Sequence, residues 1–163
     1  MVARGRSAKR LGELLMERGL LTASQLEQAL AHQRLTKAFL GAVLLELHLV
    51  PPKQLLAALS EQFGIPCESL RPEQVDWAVV DQFPSSALSD EHCFPIRADA
   101  ASLTVAIANP LNAWALSAVE QTARFQQVKL VLVLPSDLAL VRQAYQRRIV
   151  QRMTQQPESH GHD

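Results

Sequence analysis

The chain states one pattern twice. RLGELLMERGLLTASQLEQALAHQ runs over residues 10–33, and FLGAVLLELHLVPPKQLLAALSEQ over 39–62. The copies are 24 residues long, offset by 29, and identical at ten positions. These are Leu11/Leu40, Gly12/Gly41, Leu15/Leu44, Glu17/Glu46, Leu20/Leu49, Gln25/Gln54, Leu26/Leu55, Ala29/Ala58, Leu30/Leu59 and Gln33/Gln62. A repeat of this length is one supersecondary unit that buries its apolar face against its neighbour. Leu11, Leu14, Leu15 and Leu20 recur at helical spacing, and Gly19 falls where a helix C-cap belongs. Thr22 then restarts a helix, with Gln25 three residues on to complete a capping box. In the second copy Pro51 and Pro52 take the cap and first-turn positions, where a missing N–H costs little. Each copy therefore reads as helix–turn–helix.

After the FGIP of residues 63–66 the pattern changes. The segment RPEQVDWAVVDQF predicts a short helix beginning at Pro72, and SSALSDEHC another short helix or turn. CFPIRAD and SLTVAIAN predict two strands about a polar turn at Asp99–Ser102. NPLNAWALSAVEQTAR predicts a helix. VKLVLVLP predicts a strand, buried to judge by its unbroken apolar run, and a final helix follows, capped by Ser136 or Asp137. The expected fold is α+β, with a helical subdomain over 9–66 and a small α/β subdomain over 67–152. Residues 1–8 and the tail 153–163 are expected to be disordered.

Charge and motif absences narrow the function. Net charge is zero, distributed as +4 over 1–37, −6 over 38–100 and +2 over 101–163. A neutral chain with 5% aromatics does not fit a nucleic-acid polymer as partner. No apolar run reaches membrane-spanning length and no secretory signal opens the chain, so a cytoplasmic location is expected. GxxxxGK[ST], GxGxxG, HExxH and GxSxG are absent, the five histidines have no metal spacing, and Cys67 and Cys93 form no CxxC pair. The chain is expected to be neither an enzyme nor a holder of a cofactor or metal.

What remains is binding. The repeated Gly12 and Gly41 stand in a helix first turn, where glycine costs about 1 kcal/mol against alanine. A glycine kept there suggests close approach to the backbone, and free first-turn N–H groups suit an anion. Gln33 and Gln62 offer two-way amides. Arg10 can stack on a base or take guanine O6 and N7 together. Two similar half-sites suit a ligand with two similar halves, such as a cyclic dinucleotide; structural duplication alone explains the spacing equally well.

The string RLGxxLxxxGLLTxxQLxxALxxQ, followed by LGxxLxxxxLVxxxxLxxALSEQFGIP, resembles the MshEN domain, the N-terminal domain of type II secretion and type IV pilus assembly ATPases. CFPIRADAASLTVAIANPLN and VKLVLVLPSDLALVRQAYQR continue the likeness, which covers roughly residues 9–147. The family includes receptors for the second messenger cyclic di-GMP, and the resemblance implies that ligand here, one guanine per copy. It implies that Arg10 holds a guanine, that Leu11, Leu26 and Leu30 bed the first half-site, and that Leu40, Leu55 and Leu59 bed the second. By the same resemblance Gly12 and Gly41 admit the ligand, Gln33 and Gln62 contact it, and Asn109 reaches it from the rear subdomain.

Three positions depart from the family pattern: Phe39 stands for the second copy's Arg, His48 for its Gly, and Asn109 for an Asp. Phe39 offers a ring in place of a cation. The departures also fit a docking module that has lost the ligand and binds a secretion or pilus ATPase or an inner-membrane platform protein. The ATPase core that usually follows is absent from the sequence, which is expected to be a standalone protein.

Overall fold

A computed structural model describes residues 10–89, 93–110 and 127–155. The expected disorder of residues 1–8, most of the helix expected over 109–124, and residues 156–163 of the tail lie outside that set.

Helix α1 (Leu11–Glu17) buries Leu11, Leu14 and Leu15, the i, i+3, i+4 face of its leucine spacing. It stops at Arg18, and Gly19 follows in the left-handed region at φ +70°. Helix α2 (Ala23–Thr36) opens on the expected capping box: Gln25 N–H donates to Thr22 Oγ1 at 3.2 Å, and Thr22 N–H to Gln25 Oε1 at 3.0 Å. Helix α3 (Leu40–Glu46) and helix α4 (Pro52–Phe63) repeat the plan, with Pro51 as N-cap and Pro52 at N1. Proline supplies no N–H, so Gln54 has no cap donor to accept from, and the box of the first copy has no equivalent in the second.

Both copies end their first helix with the same pair of hydrogen bonds. Leu20 N–H reaches Leu15 O and Gly19 N–H reaches Met16 O; Leu49 N–H reaches Leu44 O and His48 N–H reaches Leu45 O, all at 3.0–3.1 Å. This is the Schellman closure, which places its C′ residue in the left-handed region. His48 complies at φ +54°. The helices then pair across copies: α1 lies on α4, and α2 on α3. Exchanging the copies leaves this pattern unchanged, so the four helices have the contact order of a quasi-twofold arrangement. Ion pairs flank both seams, Arg18 with Glu61 between α1 and α4, and His32 Nε2 with Glu46 Oε2 at 3.5 Å between α2 and α3.

Residues 66–68 fasten the helices to a three-stranded sheet: Leu132 N–H donates to Pro66 O, and Glu68 N–H to Leu132 O. The sheet order is β1 (Cys93–Ala98), β2 (Ser102–Ile107), β3 (Gln127–Leu132), with β1/β2 antiparallel and β2/β3 parallel. All six residues of the central strand are buried. The buried leucines of the helices and the strand interiors form one continuous apolar core. The molecule is α+β, helices first and a small sheet behind, as the sequence predicts.

Four local expectations need correction. The stretch after Pro72 is not one helix: a 3-10 turn (Pro72–Gln74) and helix α5 (Trp77–Val80) flank an extended Val75, because Asp76 N–H is drawn to Ile96 O of β1 at 2.8 Å. Strand β3 is buried only at Val131 and Leu132; its start is an edge with Lys129 exposed. Asp137 does not cap helix α6 (Pro135–Gln155), since its Oδ2 accepts from Leu70 N–H at 3.1 Å, far along the chain. That helix also continues through Gln155, past the Met153 boundary expected for the tail.

Candidate functional site

A cavity of about 360 Å³ opens between the second copy and the ends of β2 and β3. That lies toward the small end of the ~300–1,000 Å³ usual for ligand sites. The front wall comes from α3 and α4 with the loop before them, including Phe39, Gly41, Leu55 and Leu59. The rear wall comes from Ala108 and Asn109 after β2, and from Val133–Pro135 after β3. Parallel pairing of β2 with β3 brings these two chain ends side by side, in the crevice beyond the strand C-termini where α/β sheets commonly bind ligands. Asn109 is the one residue with a polar side chain among those lining the cavity.

Of the thirteen residues singled out from the sequence, five meet here: Phe39, Gly41, Leu55, Leu59 and Asn109. Leu55 and Leu59 are core residues whose exposed remnants form the floor. Leu40 and Gln62, half-buried, do not line it. The first-copy residues stand elsewhere. Arg10 is exposed at the N-cap of α1, Leu11 and Gly12 are buried, and Leu26 and Leu30 are half-buried. Gln33 turns its amide onto its own chain, donating from Nε2 to Ala38 O at 3.1 Å. That bond fixes the loop carrying Phe39.

The two glycines do admit a close approach, and the chain itself makes it. A Cβ on Gly12 would stand 2.7 Å from Leu26 Cδ1, so this glycine lets the two helices of the first copy meet. A Cβ on Gly41 would stand 2.7 Å from Phe39 Cε1, so in the second copy a ring edge takes the place of the leucine. Arg10 and Phe39 occupy matching N-cap positions, with φ/ψ of −68°/153° and −62°/138°. Neither makes a side-chain cap bond.

Sequence reasoning missed Ala38, Ala42, Leu45, Pro52 and Leu56 on the front wall, and Ala108 with Val133–Pro135 on the rear. Ala108 sits within the ANPL segment, which could have flagged it. The rear strand ends carry no local signal, because they reach the cavity only through the parallel pairing of β2 and β3. Among the described residues no cluster of three His, Cys, Asp or Glu side chains is placed to hold a metal ion, and no helix is long and apolar enough to cross a membrane.

Comparison with known proteins places this geometry. The MshEN domain family model matches residues 63–151, more than half of the chain. The type IV pilus assembly ATPase PilB of Thermus thermophilus is 31% identical over 114 residues, 69% of this chain and 13% of that protein. Bacteriophage adsorption protein B of Escherichia coli K12 is 29% identical over 144 residues, 88% of this chain and 19% of that protein. The chain thus spans a fifth or less of the length of these relatives. Among solved structures, MshE with cyclic di-GMP superposes with a TM-score of 0.70 at 28% identity, covering 85% of this chain and 98% of that one. The N-terminal domain of XpsE shares the fold, with a TM-score of 0.60 at 23% identity, covering 87% and 97%. With the duplicated helical hairpin, the small sheet behind it and the family match in agreement, this chain belongs to the MshEN domain family.

Proposed function

We propose that this chain is a cyclic di-GMP-binding regulatory module, related to the N-terminal domains of secretion and pilus ATPases, without catalytic activity of its own and acting in the cytoplasm. The observation that carries this reading is the equivalence of the two copies. They share their Schellman closures, their cross-copy helix pairing and the backbone at Arg10 and Phe39. A cyclic dinucleotide has two bases and two phosphates about a twofold axis, the same symmetry. Similarity to MshE, a structure of which contains cyclic di-GMP, adds support.

The mechanism is conformational. A ligand seated in the cavity touches the helical front at Phe39 and the strand ends at Asn109 and Val133. It would hold the two in one relative orientation, and shift that equilibrium only by its difference in affinity for the two arrangements. The direct test is titration calorimetry of the purified chain with cyclic di-GMP, with GTP as control. Saturable, guanine-selective binding that Arg10→Ala removes, at unchanged melting temperature, supports the receptor. Absence of heat from a folded sample sinks it.

A second reading is favoured by one observation. The cavity walls are apolar, and no cation lines them to meet a phosphate. A docking module for a secretion or pilus partner would insert an apolar side chain there, and Arg10→Ala would leave that affinity unchanged.

A further inference from the structure

The equivalent positions of the two copies present different chemistry. Arg10, exposed at the N-cap of α1, carries a planar fork of donors, which matches the O6 and N7 acceptors on one edge of guanine. Phe39, at the same place in the second copy, carries no hydrogen-bonding atom. It offers a base only its ring.

Phe39 does not stand alone. It shares one cavity with Asn109, whose carboxamide is the single polar side-chain group in walls otherwise made of Ala, Leu, Val, Pro and Gly. A carboxamide has a donor and an acceptor in one plane. That pair matches adenine, whose N6 amino group donates and whose N7 accepts. Guanine asks for something else. Its Watson–Crick edge offers the N1–H and N2–H donors together and suits an acceptor-only carboxylate, and its O6/N7 edge suits an Arg fork. The cavity holds neither group. Guanine also carries more polar atoms into an apolar enclosure, each costly when unpaired, while adenine leaves fewer to satisfy.

We propose that the two half-sites read different bases: guanine at the Arg10 copy and adenine in the Phe39–Asn109 cavity, so that the preferred ligand is a mixed cyclic dinucleotide with one of each. This inference rests on the reading above that the chain binds a cyclic dinucleotide. The second half-site is then a specificity element. Phe39 provides the stacking surface, Asn109 selects the base, and Gly41, with no side chain of its own, leaves room for the ring.

The test is calorimetric titration of the whole chain with three ligands: cyclic di-GMP, cyclic di-AMP and mixed cyclic GMP–AMP. The mixed ligand is expected to bind tightest, by about 10-fold or more over either symmetric one, as a single matched bidentate base contact commands. The near-isosteric Asn109→Asp replaces the amide with an acceptor-only group and is expected to lower the ratio of mixed to cyclic di-GMP affinity by about 10-fold, reversing or erasing the preference. Cyclic di-GMP binding as tightly as the mixed ligand would overturn the inference and leave the cyclic dinucleotide reading intact. A preference for the mixed ligand that Asn109→Asp does not change would overturn the role of Asn109. No heat from any of the three, with a cooperative melt proving the sample folded, would overturn both readings.

Discussion

The edge of the Phe39 ring rests on Gly41: a Cβ built there would stand 2.7, 3.2 and 3.5 Å from Cε1, Cδ1 and Cζ. The glycine and the ring are therefore one unit. Gly41 lies in the first turn of α3, where alanine would by itself gain up to about 1 kcal/mol. In the native background Gly41→Ala must push the ring aside and loses that gain. In a Phe39→Ala background the methyl meets no close atom, and the gain returns. A double-mutant cycle by urea denaturation should give a coupling of about 1 kcal/mol. Additive single effects would mean the ring swings away freely.

His48 is the exposed residue that the second Schellman closure forces to φ +54°, where the first copy has Gly19 at +70°. A side chain with a Cβ pays about 1–2 kcal/mol in that region. Glycine recovers this but orders a freer unfolded chain, which takes back about 0.4–1 kcal/mol. His48→Gly should therefore stabilise by about 0.5–1 kcal/mol, raising Tm by roughly 2–3 °C for a chain of this size. Gly19→Ala should do the reverse. A His48→Gly variant that melts at or below the native temperature would show that the imidazole makes a compensating contact.

These two positions also show what the sequence could and could not reveal. The Schellman closures, the capping box at Thr22 and the prolines opening α4 are local, set by residues within one or two turns, and all are legible as written. The Asp99–Ser102 turn between β1 and β2 is legible for the same reason. The misread features answer to distant partners. Asp137 was a good cap by local rules, but Leu70 N–H claims it across 67 residues. The helix expected from Pro72 breaks at Val75 because Asp76 pairs with β1. The site divides in the same way: Phe39, Gly41, Leu55 and Leu59 follow from the repeat, whereas Val133–Pro135 join them only through the pairing of β2 with β3.

Arg142 of α6 ties down the segment between the helices and the sheet. Its Nη1 donates to Leu88 O at 3.0 Å and its Nη2 to Cys93 O at 3.4 Å, and Cζ lies 5.9 Å from the centroid of the buried Phe94 ring. Phe94 in turn meets Trp77 and Tyr145 edge-on. Arg142→Met keeps an apolar stem over Phe94 and removes the donors, leaving two carbonyls to find water. The expected loss is about 1–3 kcal/mol. Hydrogen exchange should locate it at the start of β1 rather than in α1–α4; a uniform loss across the chain would argue against so local a role.

Asp99 predicts a pH dependence. Its carboxylate accepts from Ala101 N–H at 2.8 Å, from Ser102 Oγ at 2.8 Å and from Ser102 N–H at 2.7 Å, closing the turn between β1 and β2. These bonds favour the charged form, the one from Ala101 most, and hold its pKa below the usual carboxylate range, with a smaller contribution from Lys129. Because the folded pKa lies below the unfolded one, the unfolded chain binds more protons as acid is added. The stabilisation is complete above the ordinary Asp range, near pH 4, and is lost as pH falls through the folded pKa. Asp99→Asn keeps one acceptor oxygen and abolishes the titration. Urea midpoints measured from about pH 6 down to about pH 3 should therefore fall less steeply for Asp99→Asn than for the native chain, with the difference confined to the acid end. Parallel curves over the whole range would mean that the turn forms as well with the protonated acid, and that the backbone of β1 and β2 alone sets its geometry.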